Sequence, residues 1–128
     1  MLECGDTFLT GDDEDEGYHL WIVVTPPSEG EVVTVSVTTL RKRSEKLVVL
    51  QSGEHPFIEH PSVIAYAHSR IRTVEAIETA ITNGAAKKRE PASPVLLKKV
   101  RAGLTDSEFT PNGVRNFYLD VMRNFPKD

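Results

Sequence analysis

Four histidines are the residues of this chain best suited to moving protons, and two of them share one short stretch, EHPFIEHPS at 54–62. His55 and His60 each follow a glutamate and precede a proline. Three chemistries fit that pattern: two metal ligands, acid–base or phosphate-contacting groups, or two stiff loop corners with Phe57 and Ile58 plugging the end of a barrel. Geometry weighs against the metal. A residue before proline is pushed towards extended backbone, and five extended residues span roughly 16–18 Å. One ion cannot take both imidazoles unless PFIE turns sharply. No HExxH helix or paired-cysteine spacing adds ligands, so no metal or other cofactor is expected. Walker-type and dinucleotide glycine patterns are absent, as is a Gly-x-Ser-x-Gly elbow.

The other two histidines have different settings. His19 follows an acidic run, which suits an acid catalyst or a tether for that run. His68 falls late in a strand, in phase with Ile64 and Tyr66, which suits a hydrogen-bonded core histidine. Cys4 is the only cysteine. An internal disulfide is therefore excluded, a reducing cytoplasm is expected, and nothing nearby in sequence marks the thiol as reactive.

Elements that change period midway must position these groups. Thr7–Thr10 reads as a short strand stopped by Gly11, with the acidic run 12–16 as a mobile loop. Tyr18–Thr25 is aromatic and β-branched, as a central strand would be. In EVVTVSVTT, Val33, Val35 and Val37 alternate with Thr34, Ser36 and Thr38, a half-buried strand. LVVL and SVIAYAHS supply two more strands, with the basic loop LRKRSEK before the first of them. Helical spacing then begins at the N-cap Thr73 and ends at Asn83-Gly84. AAKKREPAS reads as a surface linker. Ser93-Pro94 opens a second helix that Gly103 closes, and Thr110-Pro111 opens a third. The expected fold is α+β and mainly β: a small SH3-like antiparallel barrel at about 5–72, then a helical appendage at about 73–125, in one domain.

Charge is segregated along this frame. The chain of 128 residues carries a net −4, yet residues 1–31 hold nine acids and no lysine or arginine. The remainder holds ten acids against fifteen bases, a balance compatible with a basic surface that meets an anion. No apolar run approaches the roughly 20 residues of a membrane span, so no membrane association is expected.

The order of motifs resembles the MazF/PemK family of toxin endoribonucleases. Gly5-Asp6-Thr7-Phe8 opens the first strand, HLWIVVT follows a loop, VTVSVTT ends in Thr38-Thr39, and SVIAYAHSRIRTV covers 62–74. The resemblance spans about residues 5–78. It implies RNA as ligand, a homodimer, and an antitoxin partner whose acidic segment occupies a basic rim. Two positions depart from the family pattern: His19-Leu20 stands where Arg-Pro usually opens the second strand, and Ala67 and Ser69 fall near the places of an acid and an arginine.

If the chain cuts RNA, a 2′-hydroxyl must lose a proton, a leaving oxygen must gain one, and the phosphorane needs donors. His19, His55 and His60 are the expected proton carriers, with His68 a fourth imidazole and Arg70 the expected cationic support. Thr38, Thr39, Arg41, Arg43 and Arg72 are the expected substrate contacts. Two functions follow: a toxin-like barrel that binds RNA and cleaves it without metal, or a catalytically silent barrel that binds protein or nucleic acid.

Overall fold

Alternation of apolar and polar residues along three long strands gives a sheet with two unlike faces, and helices cover those faces unequally. The computed structural model describes residues 2–12 and 17–124; the acidic residues 13–16 lie outside them. Strands β1 (Thr7–Asp12), β2 (Gly17–Val23), β3 (Glu31–Thr39), β4 (Val49–Leu50), β5 (Ser62–Thr73) and β6 (Ala86–Arg89) form one antiparallel sheet in the order β4-β5-β3-β2-β1-β6. Helices α1 (Val74–Thr82), α2 (Pro94–Asp106) and α3 (Asn112–Arg123) complete the chain. The architecture is a curled half-barrel, mainly β, with helices concentrated after it.

On the first face, Leu20, Ile22, Val33, Val35 and Val37 pack against Leu96, Val100 and Leu104 of α2 and Val114 and Tyr118 of α3. Full burial of each such aliphatic side chain contributes about 1.5–3 kcal/mol. On the second face, Phe8, Trp21, Val23 and Val32 meet Ile77 of α1. That helix covers only one end of the face. At the other end, His19, Ser36, Thr38 and Arg70 line a hollow to which, among the described residues, no helix contributes.

One irregularity decides which residues reach that open end. Thr34 pairs with Arg70 and Ser36 pairs with Ala65, so Val35 alone stands opposite residues 66–69. The bulge therefore holds three extra residues, an odd number. Side chains alternate across a strand, so an odd insertion exchanges the faces of everything beyond it. Ile64 and Tyr66 enter the first core, whereas Arg70 and Arg72 emerge on the second face. Ser69 closes the bulge by donating from Oγ to the Tyr66 carbonyl at 2.7 Å.

Several expectations are corrected. β1 continues through Gly11, which adopts φ +99°, to Asp12. β3 is buried on both faces from Val32 to Val37 rather than half-buried. Its threonine face is covered because Arg72 donates to Thr34 Oγ1 at 3.2 Å and lies 4.4 Å over the Trp21 ring. The expected linker contains β6, an edge strand whose Lys87 and Lys88 are exposed; charged lysines are a common means of keeping an edge from further pairing. Gly103 does not close α2, which runs on to Asp106. Thr110 does not cap α3; its hydroxyl donates to the Leu104 carbonyl at 2.8 Å, tying the helix start back to α2. Thr73 and Ser93 do cap, accepting from Ala76 and Leu96 N–H at 3.1 Å each.

Candidate functional site

The uncovered end of the second face is hollowed into one cavity, and a second adjoins it, sharing His19 and Thr38 but lined also by Val37 and Ile58 of the first core. The larger, about 860 Å³, is lined by His68 and Arg70 from β5, Arg43 from the basic loop, and Phe109 from the α2–α3 connection. The smaller, about 670 Å³, takes Thr39, Arg41 and His60. The β2 and β3 alternation sends His19 and Thr38 to the same side. In the loop after β3, Arg41 and Ser44 close a tight turn through two hydrogen bonds, of 2.9 and 3.2 Å. The turn delivers its two arginines to different cavities. His60 Nε2 lies 3.2 Å from Thr39 Oγ1, at an exposed position.

Cationic and neutral donors dominate both cavities. Among the described residues, Glu45 is the one carboxylate lining the larger cavity and Glu59 the one lining the smaller. Glu45 is partly satisfied already, accepting from Ser107 Oγ at 2.7 Å. Tyr66 also lines the larger cavity, but its hydroxyl donates to the Val100 carbonyl at 2.7 Å. Burial first, then Glu45 and Asp106, push that phenol well above the ordinary tyrosine range. It stays protonated and takes no part in proton transfer near neutrality.

His55 and Arg72 line neither cavity. His55 is buried at 2 % exposure. Its Nδ1 accepts from the Phe57 N–H at 3.0 Å, and its Nε2 lies 2.6 Å from the Glu90 carbonyl. An accepting Nδ1 carries no proton, so the ring is the Nε2–H tautomer donating to Glu90. Both nitrogens are thereby committed to main chain, and the ring ties the EHP loop to the end of β6. Ile58 beside it enters the first core with Phe57 against it, the barrel-end plug expected of a corner. Arg72 is held on Trp21 and Thr34; burial first, then neighbouring Arg70, lower its proton affinity. Among the described residues no group of three or more histidine, cysteine or acidic side chains could hold a metal ion, nor is any helix long and apolar enough to cross a membrane.

A His55→Ala variant is accordingly expected to lose about 2–4 kcal/mol of stability, because it leaves the Phe57 N–H without its acceptor, removes one of the two donors to the Glu90 carbonyl (Thr7 Oγ1, at 2.7 Å, is the other) and opens a void beside them. Chemical denaturation measures that loss.

Sequence reasoning placed His68 in the core, and the structure corrects this: its side chain is exposed in the bulge and lines the larger cavity. A signal was available. Three consecutive polar residues, His68-Ser69-Arg70, interrupt the apolar run Val63–Ala67. Phe109 was missed as well, since the α2–α3 connection offers no motif.

The fold has known counterparts. An endoribonuclease in complex with its cognate antitoxin from a mycobacterial species superposes with TM-score 0.55 at 14% identity, covering 87% of this chain and 98% of that one. A MazE–MazF structure from Deinococcus radiodurans gives TM-score 0.54 at 15% identity, covering 82% and 94%. No protein-family model matches the sequence, and no curated protein does. The likeness shows a MazF-like fold, and it extends beyond residues 5–78, where the sequence motifs lie.

Proposed function

We propose that this chain is a toxin-like barrel that binds RNA across the paired cavities around His19 and cuts it by metal-independent acid–base chemistry. One observation carries the reading: imidazoles, arginines and threonine hydroxyls from four separate segments converge on two adjoining cavities to which, among the described residues, no helix contributes. Transesterification needs one group that accepts a proton and one that donates it, and an imidazole side chain can do either. His68 accepts the proton of the attacking 2′-hydroxyl as the new O2′–P bond forms. His19 donates a proton to the departing O5′ as the P–O5′ bond breaks, leaving a 2′,3′-cyclic phosphate and a 5′-hydroxyl. Arg70 and Arg43 offset the charge of the phosphorane. Arg41, Thr39 and His60 hold the adjoining phosphate in the smaller cavity. In this reading His55 and Arg72 are structural.

The solved neighbours support the same reading, one being an endoribonuclease with its antitoxin and the other a MazE–MazF pair. By analogy the chain works as a homodimer and is silenced by a protein whose acidic segment occupies the basic rim. Charge complementarity favours such an inhibitor, because phosphate and carboxylate compete for the same arginines.

Salt dependence of RNA binding tests the site. Each phosphate contact on a single strand adds about 0.7 to the slope of log affinity against log salt. Arg43→Ala and Arg70→Ala should each flatten that slope by about 0.7 for a labelled ten-nucleotide RNA. Slopes equal to the wild type in both variants would remove the cavities as the RNA site.

A further inference from the structure

Phe109 is the feature of the larger cavity that acid–base chemistry does not use. It is 60% exposed, yet the residues around it are fixed. Ser107 and Thr110, on either side, are 2% and 3% exposed. Ser107 Oγ accepts from the Phe109 N–H at 3.0 Å and donates to Glu45. Arg115 donates to the Ser107 carbonyl, and Thr110 to the Leu104 carbonyl. A large apolar ring is thus held out to water by a turn pinned on both sides. A mobile loop could fold such a ring away; this one cannot. The same cavity is lined by the guanidinium groups of Arg43 and Arg70 and the imidazoles of His19 and His68, and its described carboxylate, Glu45, already accepts from Ser107.

We infer that Phe109 is a base-stacking platform: a nucleobase of single-stranded RNA lies on its ring while the flanking phosphates meet Arg43 and Arg70. The inference rests on the RNA reading above and adds to it a subsite formed by the α2–α3 connection, outside the segments that share the family motifs. An apolar ring beside several cations matches a ligand with a flat π-face and an anionic backbone, which a nucleotide has. An apolar side chain of a protein partner would satisfy the ring alone and leave those cations without anions. Because the ring is already held in place, little ordering opposes stacking.

The test measures affinity by fluorescence anisotropy for two labelled ten-nucleotide RNAs, one intact and one with abasic sites at its central positions. Wild type, Phe109→Ala and Phe109→Tyr are compared, with thermal melting as a folding control. Stacking on one aromatic ring changes affinity by about tenfold to a hundredfold. Phe109→Ala should weaken binding of the intact strand by that factor, Phe109→Tyr should retain it, and on the abasic strand all three proteins should bind alike. If the wild type binds RNA and Phe109→Ala binds it equally well, the inference falls, the RNA reading stands, and a protein partner becomes the occupant of that rim. An equal loss on both strands also overturns it, since the ring would then shape the cavity rather than stack a base. A wild type that binds neither strand overturns the RNA reading and this inference together.

Discussion

A His19→Ala variant is expected to cut RNA about a hundredfold to ten-thousandfold more slowly than the wild type, the usual contribution of a positioned proton-transfer group. His19 is the one imidazole common to both cavities. It stands on β2 opposite Thr10, and neither hydrophobic cluster includes it. Thermal melting of the variant serves as the folding control, so that the rate loss is read on folded protein. For His55 the proposed function predicts a different pattern: stability falls, and the cleavage rate of the folded variant stays within twofold of the wild type. Running both variants side by side separates a proton carrier from a corner. Single-turnover cleavage is the appropriate readout, because it isolates the chemical step from binding. A His19→Ala rate within threefold of the wild type would show that protons move elsewhere in the cavity.

Gly103→Ala should have the largest effect on stability, a loss of about 3 kcal/mol or more. In an exposed helix the same change would stabilise by about 1 kcal/mol, so even the sign is diagnostic. A Cβ at Gly103 would stand 2.1 Å from Tyr66 Oη and 2.6 Å from both Tyr66 Cζ and Val48 Cγ2. None of these atoms can move cheaply. Tyr66 is fully buried and its hydroxyl is bonded to the Val100 carbonyl one turn back on the same helix. Displacing the ring would break that bond and open the contact between α2 and β5. Thermal melting should register a drop of roughly 10 °C for a chain of this size. Tyr66→Phe removes the nearest atom, so the double variant should lose less than the two single losses combined. Strict additivity would mean that the contact is not the cause.

Period was what the sequence displayed most plainly. β2, β3 and all three helices follow from alternation and helical spacing, and the caps Thr73 and Ser93 follow from residue type. What escaped were features fixed by contacts distant along the chain. Gly103 carries the sequence mark of a helix end, but its missing Cβ serves the approach of Tyr66 from β5. AAKKREPAS carries the mark of a linker, but Lys87 and Lys88 are exposed because their strand is an edge paired to β1.

The lining of the candidate site was legible in part for the same reason. His19, Thr38, Thr39, Arg41, Arg43, His60 and Arg70 all line the paired cavities, because strand alternation and the basic turn are local properties. His55 could not be distinguished from His60 by sequence, since both follow glutamate and precede proline. Burial against Glu90, 35 residues away, separates them. His68 was misplaced because the bulge opposite Val35 inserts an odd number of residues, and the strand's phase beyond it cannot be read from its beginning. That same bulge brings Arg70 to the open face; without it, Arg70 would point into the apolar core.

The most direct test of the central claim is incubation of the purified wild-type protein with a mixed-sequence RNA in EDTA, with His19→Ala in parallel. The account predicts discrete fragments ending in 2′,3′-cyclic phosphate from the wild type and essentially intact RNA from the variant. Intact RNA with the folded wild type would contradict it and leave the paired cavities as a binding surface without chemistry.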